Sequence, residues 1–302
     1  MIIKLNDYFK SKSGPIVMCI GYFDGIHLGH QQLIKKTIEI ARKQNMEPVL
    51  FTFDPSPAKI LGKDKYYGEI TSLQDRDRIL SELGIKTLVV MDFNSQTMNE
   101  QADDFVHNVI IKMNVKTLIC GFDFRYGFKG KGNTKTLQDY YEFNTIIIPS
   151  YDYSGAKVST SRIINLLKSK SVREANLLLG HNFKINGFVI HGLNNGGRIG
   201  FRTANIELGD YVMPSIGVYA CYAYFNGVKY KAMVNIGIHP TISELEKPIM
   251  EVHILDFDQN LYGKFIEVEF VDYIRDEIKF DDIENLKSQI IMDTKTIAKI
   301  LY

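Results

Sequence analysis

The chain has 302 residues, enough for two domains with separate cores. A formal net charge of +1, with 24% charged and 45% hydrophobic residues, gives no case for a nucleic-acid partner, which needs a basic face. The three cysteines, Cys19, Cys120 and Cys221, lie far apart inside apolar runs. They read as reduced core residues of a cytoplasmic chain and argue against a disulfide framework or a zinc site. The N-terminus lacks a signal-peptide pattern, and no apolar run reaches the ~18 residues of a membrane span, so no membrane partner is expected.

The first half alternates between strand and helix patterns. Ile16–Ile20 is a short apolar run of the buried parallel-strand kind. Gly21–His30 follows as a glycine-bearing turn, and Leu33, Ile34, Thr37, Ile38 and Ala41 then recur at helical spacing. Further apolar runs lie at 48–53, 87–91, 117–120 and 145–148, with helical patterns over 73–83 and 102–113 between them. This alternation predicts a parallel sheet with helices on both faces, a Rossmann-like α/β domain. Ligands of such sheets sit beyond the carboxyl ends of the strands. Those ends carry Gly21–His30, Asp54-Pro55-Ser56-Pro57, and Gly121–Gly127. The last of these runs on through Phe128-Lys129-Gly130-Lys131-Gly132, whose lysines and glycines also suit a phosphate. Ser159-Thr160-Ser161-Arg162 opens another helix, where hydroxyls can cap and an arginine can clamp a phosphate.

The stretch 168–182 reads as a helical linker, and from about Phe183 the rhythm changes. Short apolar or alternating segments at 187–190, 218–225, 229–234, 251–257 and 265–271 predict an antiparallel barrel or sandwich. Asn226-Gly227 between two of them is a hairpin signal. One helix closes the pattern, capped by Asp281 or Asp282, with Ile283, Leu286, Ile290 and Ile297 on one face.

Histidines at i and i+3 beside a helix N-terminus, as His27 and His30 are, can contact a triphosphate and stabilise the charge of displacement at phosphorus. Gly21, Gly25 and Gly29 let backbone approach the ligand. Ser159–Arg162 would hold a leaving pyrophosphate. In the second half, Thr203 and Asn205 share a face if the backbone is extended, which suits joint coordination of a hard cation. Glu251, His253 and Leu255 share one face of an extended strand, and a carboxylate pointing into a barrel is a candidate general base.

Gly-x-Phe-Asp-Gly-x-His-x-Gly-His, the Gly121–Gly127 loop and the Ser159–Arg162 box resemble the adenylyltransferase module of prokaryotic bifunctional riboflavin kinase/FAD synthetases. His191-Gly192, Gly200–Asn205, Pro214–Tyr219, Asn235-Ile236-Gly237 with Pro240-Thr241, and Glu251–Phe257 resemble its riboflavin kinase module, in the family's order. The resemblance implies an adenylyltransferase domain over 1–182 and a kinase domain over 183–302, the latter a six-stranded antiparallel barrel with a terminal helix. It implies that ATP and Mg²⁺ serve both halves, with riboflavin and FMN as acceptors and FMN and FAD as products. By it, His27 and His30 bind and polarise the ATP phosphates together with Gly21, Phe23, Asp24, Gly25 and Gly29. Ser159, Thr160, Ser161 and Arg162 form a second phosphate box, while Asp123, Phe124 and Arg125 line the nucleotide or flavin side. Gly192 and Gly200 contact the second ATP, Thr203 and Asn205 hold Mg²⁺, and Glu251 takes the proton of the riboflavin 5′-hydroxyl.

The chain departs from the family pattern at four places. Ser56 replaces the histidine of Pro-His-Pro, and Ile164 stands where the second box has a further arginine. Both predict altered affinity or rate. In the kinase half, Gly197 replaces an arginine that has moved to Arg198, and Arg202 replaces the proline before Thr203. A one-residue move in extended chain turns a side chain to the other face. These changes raise two rivals: an FAD synthetase with an impaired kinase-like domain, and a non-enzymatic flavin sensor. Nothing in the sequence specifies an oligomeric state.

Overall fold

The computed structural model describes residues 1–11, 14–62, 66–190, 201–238 and 248–301. They fall into two compact units, Met1–Tyr66 with Thr71–Ser159, and Tyr67–Ile70 with Thr160–Tyr302.

In the first unit, β1 (Ile2–Lys4), β2 (Ile16–Ile20), β3 (Glu47–Asp54), β4 (Thr87–Asp92), β5 (Val115–Gly121) and β6 (Asn144–Ile148) form one parallel sheet. Their order is β1-β4-β3-β2-β5-β6. All five residues of β2 are buried, because alternate side chains enter two different cores. Val17 and Cys19 pack with Leu33, Ile34 and Ala41 of the helix Leu28–Gln44. Ile16, Met18 and Ile20 pack on the other face with Phe105, Val109 and Ile110. The helical pattern over 102–113 folds as a single α-turn, Ala102–Phe105, continued by a π-helix, Val106–Ile111. The strand order reverses at β2, whose neighbours are β3 on one side and β5 on the other. This is where an open α/β sheet parts its loops and leaves a crevice.

In the second unit, β7 (Lys184–Ile190), β8 (Ala204–Ile206), β9 (Gly217–Phe225), β10 (Val228–Ile238), β11 (Pro248–Ile254) and β12 (Phe265–Arg275) form a closed antiparallel barrel. The ring runs β7-β8-β11-β10-β9-β12 and closes by pairing Lys184 with Glu269. Asn226 and Gly227 turn the β9–β10 hairpin with φ of 51° and 78°, as a two-residue primed turn requires. The terminal helix, Ile283–Ile300, starts at Asp282, whose carboxylate accepts the Asn285 N–H at 2.7 Å. Ile297 and Leu301 pack against Val218, Ala220, Met233 and Leu255. Asp293, 3% exposed, accepts Arg275 Nη2 at 2.7 Å and Nε at 3.0 Å, which fixes the helix on β12.

The expected linker holds a second helix, Val172–Leu179, which belongs to the barrel unit. Asn176 ties it there: its amide donates to the Phe270 carbonyl at 2.9 Å and its Oδ1 accepts the Phe183 N–H at 2.8 Å.

Candidate active sites

The Gly21–His30 turn leaves the carboxyl end of β2, at the reversal of strand order. Its backbone is left-handed at Phe23 (φ 58°), Gly25 (φ 76°) and Ile26 (φ 37°). The Phe23 ring is fully buried and lies over Gly21, where an added Cβ would come within 3.1 Å of the ring. Chain reversal then delivers His27 as the cap of the helix Leu28–Gln44. Its Nδ1 accepts the His30 N–H at 3.3 Å, so in the neutral ring the proton sits on Nε2. The His27 and His30 rings stack with centroids 3.7 Å apart and planes 13° apart. Gly29 makes room for this pair, since a Cβ there would lie 3.1 Å from His27 Cε1.

Burial pushes the His27 pKa down to about 4, and the Lys157 ammonium adds to the shift while Asp123 opposes it. Burial also holds His30 well below the ordinary histidine range, helped by the neighbouring His27 ring wherever that is protonated and by the charges of Arg76 and Lys157. Both rings are therefore neutral at pH 7. His30 Nδ1 is buried and makes no hydrogen bond to the protein. A buried ring nitrogen without a protein partner at a helix N-terminus calls for a ligand atom to satisfy it.

The neighbouring strand β5 ends in the Gly121–Gly127 loop. Phe124 stacks on Tyr126 at 5.9 Å, and Arg125 and Asp123 are exposed. Lys157 Nζ donates to Asp123 Oδ2 at 2.5 Å and lies 4.6 Å over the Phe122 ring. Sequence reasoning missed Lys157, which stands two residues before Ser159. It sits in a hairpin, Asp152–Tyr153 with Ala156–Lys157, too short to show a period. Ser159 closes the first unit, and Thr160, Ser161 and Arg162 open the helix Thr160–Lys168 of the second. Ser56, at the family's histidine position, is buried at the start of the helix Pro57–Ile60.

In the barrel, Glu251 of β11 stands directly opposite Asn205 of β8 and Asn235 of β10. These three polar residues form one row across three strands. Met250, Val252 and Ile254 are buried and alternate with Glu251 and His253, which are half-buried. Glu251 therefore does not point into the barrel: the apolar set fills the narrow interior, and the carboxylate lies on the outward face. Period-2 alternation separates two faces without saying which is inside. Thr203 lines a cavity of about 370 Å³ with Val189, Val252, Ile254, Phe257 and Tyr262. Arg202, on the same cavity, is exposed and its guanidinium pairs with the exposed Asp258. The Arg202 carbonyl accepts His253 Nδ1–H at 2.8 Å. His191, Gly192, Gly196, Gly197, Arg198, Gly200, Pro240 and Thr241 lie outside the described residues.

Two family models match the chain: FAD synthetase over residues 9–162 and riboflavin kinase over residues 179–301. The bifunctional riboflavin kinase/FMN adenylyltransferase of Bacillus subtilis is 39% identical over 290 residues, covering 94% of this chain and 92% of its own. The chain belongs to this bifunctional family. The Escherichia coli K12 member is 34% identical, covering 98% of this chain and 96% of its own. A crystal structure from Streptococcus pneumoniae, described as a macrolide-efflux protein, superposes with a TM-score of 0.89 at 33% identity over 98% of each chain. Among the described residues no helix is long and apolar enough to cross a membrane. Family membership accounts for the order of the motifs, with the stacked histidines in the FAD synthetase match and the Asn205–Glu251–Asn235 row in the riboflavin kinase match.

Proposed function

We propose that the chain phosphorylates riboflavin to FMN in its barrel unit and joins FMN to ATP in its sheet unit, releasing FAD and pyrophosphate. The observation that carries the reading is the stacked, neutral His27–His30 pair at the reversal point of the sheet. An FMN phosphate oxygen is already ionised at pH 7 and needs no base. It attacks the α-phosphorus of ATP, a new P–O bond forms, and the bond to the bridging oxygen breaks as pyrophosphate leaves. Nε2–H of His27 donates to the phosphate oxygens on which charge builds, and His30 supplies a second ring alongside. Gly21, Phe23, Asp24, Gly25 and Gly29 shape the turn that brings these donors to the phosphates. Ser159, Thr160, Ser161 and Arg162 keep the role of a phosphate box for the leaving group, and Asp123, Phe124 and Arg125 that of the flavin or nucleotide side.

In the barrel, Glu251 accepts the proton of the riboflavin 5′-hydroxyl as that oxygen attacks the γ-phosphorus and ADP departs. Asn205 and Asn235 stand directly opposite Glu251 on the two neighbouring strands. Among the described residues no group of three or more His, Cys, Asp or Glu could hold a metal. The Thr203 hydroxyl and Asn205 carboxamide are hard oxygen donors, Asn205 standing opposite Glu251, and such donors suit Mg²⁺ shared with phosphates and water. Bound there, Mg²⁺ would neutralise charge on the transferring phosphoryl group. We place the adenylyltransferase domain at 1–182 and the kinase domain at 183–302. The compartment is the cytoplasm, a reading supported by three buried free thiols.

The test is chromatographic. Wild type given ATP, Mg²⁺ and riboflavin should form FMN and FAD. His30→Ala should stop at FMN, and Glu251→Gln should form FAD only from supplied FMN. A His30→Ala variant with wild-type FAD formation would refute the sheet site. A wild type that makes FAD from FMN but no FMN would show that Arg202 and Gly197 have silenced the kinase half.

A further inference from the structure

We propose that Arg76, acting through Thr71 and Asp24, is a positioning residue for adenylyl transfer: it holds the Phe23–Ile26 turn in the shape that places the His27 and His30 rings. The proposal rests on the reading of that histidine pair given above.

Arg76 lies 52 positions after Asp24 and belongs to the helix Leu73–Leu83, which Ser72 and Asp75 cap reciprocally. It is an arginine with 1% of its surface exposed. Its fork is spent on the turn. Nη1 donates to the Tyr22 carbonyl at 3.1 Å, and Nη2 donates to the Tyr22 hydroxyl at 3.3 Å and the Thr71 carbonyl at 3.1 Å. Nε donates to Thr71 Oγ1 at 3.4 Å, and the guanidinium lies 4.5 Å over the Tyr22 ring. Asp24 Oδ1, also buried, is 3.7 Å from Nη2 and accepts the Thr71 N–H at 3.0 Å.

Thr71 is the joint. Its hydroxyl donates to Asp24 Oδ1 at 3.2 Å and accepts both Arg76 Nε and the Gly25 N–H, the latter at 2.8 Å. One proton and two lone pairs are thus all used. The network grips the chain on both sides of Phe23, at Tyr22 and at Asp24-Gly25. That is where left-handed backbone at a residue bearing a side chain would otherwise relax. His27 follows Ile26, the last left-handed residue, so a relaxed turn carries the ring with it. A displacement of about 1 Å at a reacting group can lower a rate about 100-fold. Lysine could keep the charge of Arg76 but not the planar fork that reaches Tyr22 and Thr71 together.

The test uses the full-length enzyme and four variants, Arg76→Lys, Thr71→Val, Thr71→Ser and His30→Ala. Arg76→Lys and Thr71→Val should lower kcat for FAD formation from FMN about 10- to 100-fold, with KM for ATP within 3-fold of wild type. Thr71→Ser, which keeps the hydroxyl, should retain wild-type kcat. Riboflavin phosphorylation in the same preparations should not change, a split that general loss of folded protein would not produce. A folded Arg76→Lys or Thr71→Val enzyme with kcat within 2-fold of wild type overturns the proposal, as does Thr71→Ser falling as far as Thr71→Val. If Arg76→Lys does not fold, the Thr71 pair decides. If His30→Ala keeps full FAD formation, the reading of the histidine pair has failed and not the clamp.

Discussion

The neutral state of His27 has a measurable effect on stability. In the unfolded chain the ring titrates at its ordinary 6.5, whereas burial in the fold lowers it to about 4. Below pH 6.5 the unfolded state therefore binds the proton that the fold refuses. The contribution of the neutral ring is fully present above pH 6.5 and is lost as pH falls toward 4. Between pH 7 and pH 5 this amounts to about 2 kcal/mol from His27 alone. His30 is shifted in the same direction and adds to the effect. Because the chain has no tryptophan, urea unfolding is best followed by far-UV circular dichroism, with histidine Cε1–H resonances reporting the titration directly. His27→Gln, which cannot titrate, should lose about 2 kcal/mol less than wild type over that pH range. Equal losses in the two proteins, or a His27 resonance that titrates near 6.5, would refute the argument that burial sets the ring's charge.

Two further substitutions test separate parts of the fold. Gly29→Ala should cut FAD formation about 10-fold by crowding the His27 ring, while its helix gains up to about 1 kcal/mol from the better helix former; unchanged turnover would show that the ring has room to move. Arg275→Ala should destabilise the barrel unit by about 3 kcal/mol, since Asp293 is left buried without its cation, and hydrogen exchange should rise along Ile283–Ile300.

Much of this could be read from residue order because each signal is local. The buried run of β2, the glycine turn and the helix after it are contiguous, and Asn226-Gly227 encodes its hairpin within two residues. What escaped depends on partners far away in sequence. Thr71 and Arg76 lie about fifty positions from the turn they hold, Thr71 just ahead of a pattern, and Arg76 inside it, that otherwise reads only as an amphipathic helix. Lys157 acquires meaning only through Asp123 on another strand's loop. Glu251 was legible as an unusual carboxylate, but the direction it faces is decided by Met250, Val252 and Ile254 filling the ring, which no single strand reveals. The helix Val172–Leu179 reads as a connector until Asn176 is seen bonded to β12.

The left-handed Phe23 also constrains how this sequence can drift. Replacing it with glycine would remove about 1–2 kcal/mol of backbone strain but forfeit about 3–5 kcal/mol of ring packing. Any other large residue keeps the strain, and a Cβ at Gly21 would press on the ring at 3.1 Å. No single change at either position improves the turn. Variation in this enzyme should therefore accumulate around positions 21 and 23 and pass them by, leaving the pair as a fixed point against which the rest of the sequence moves.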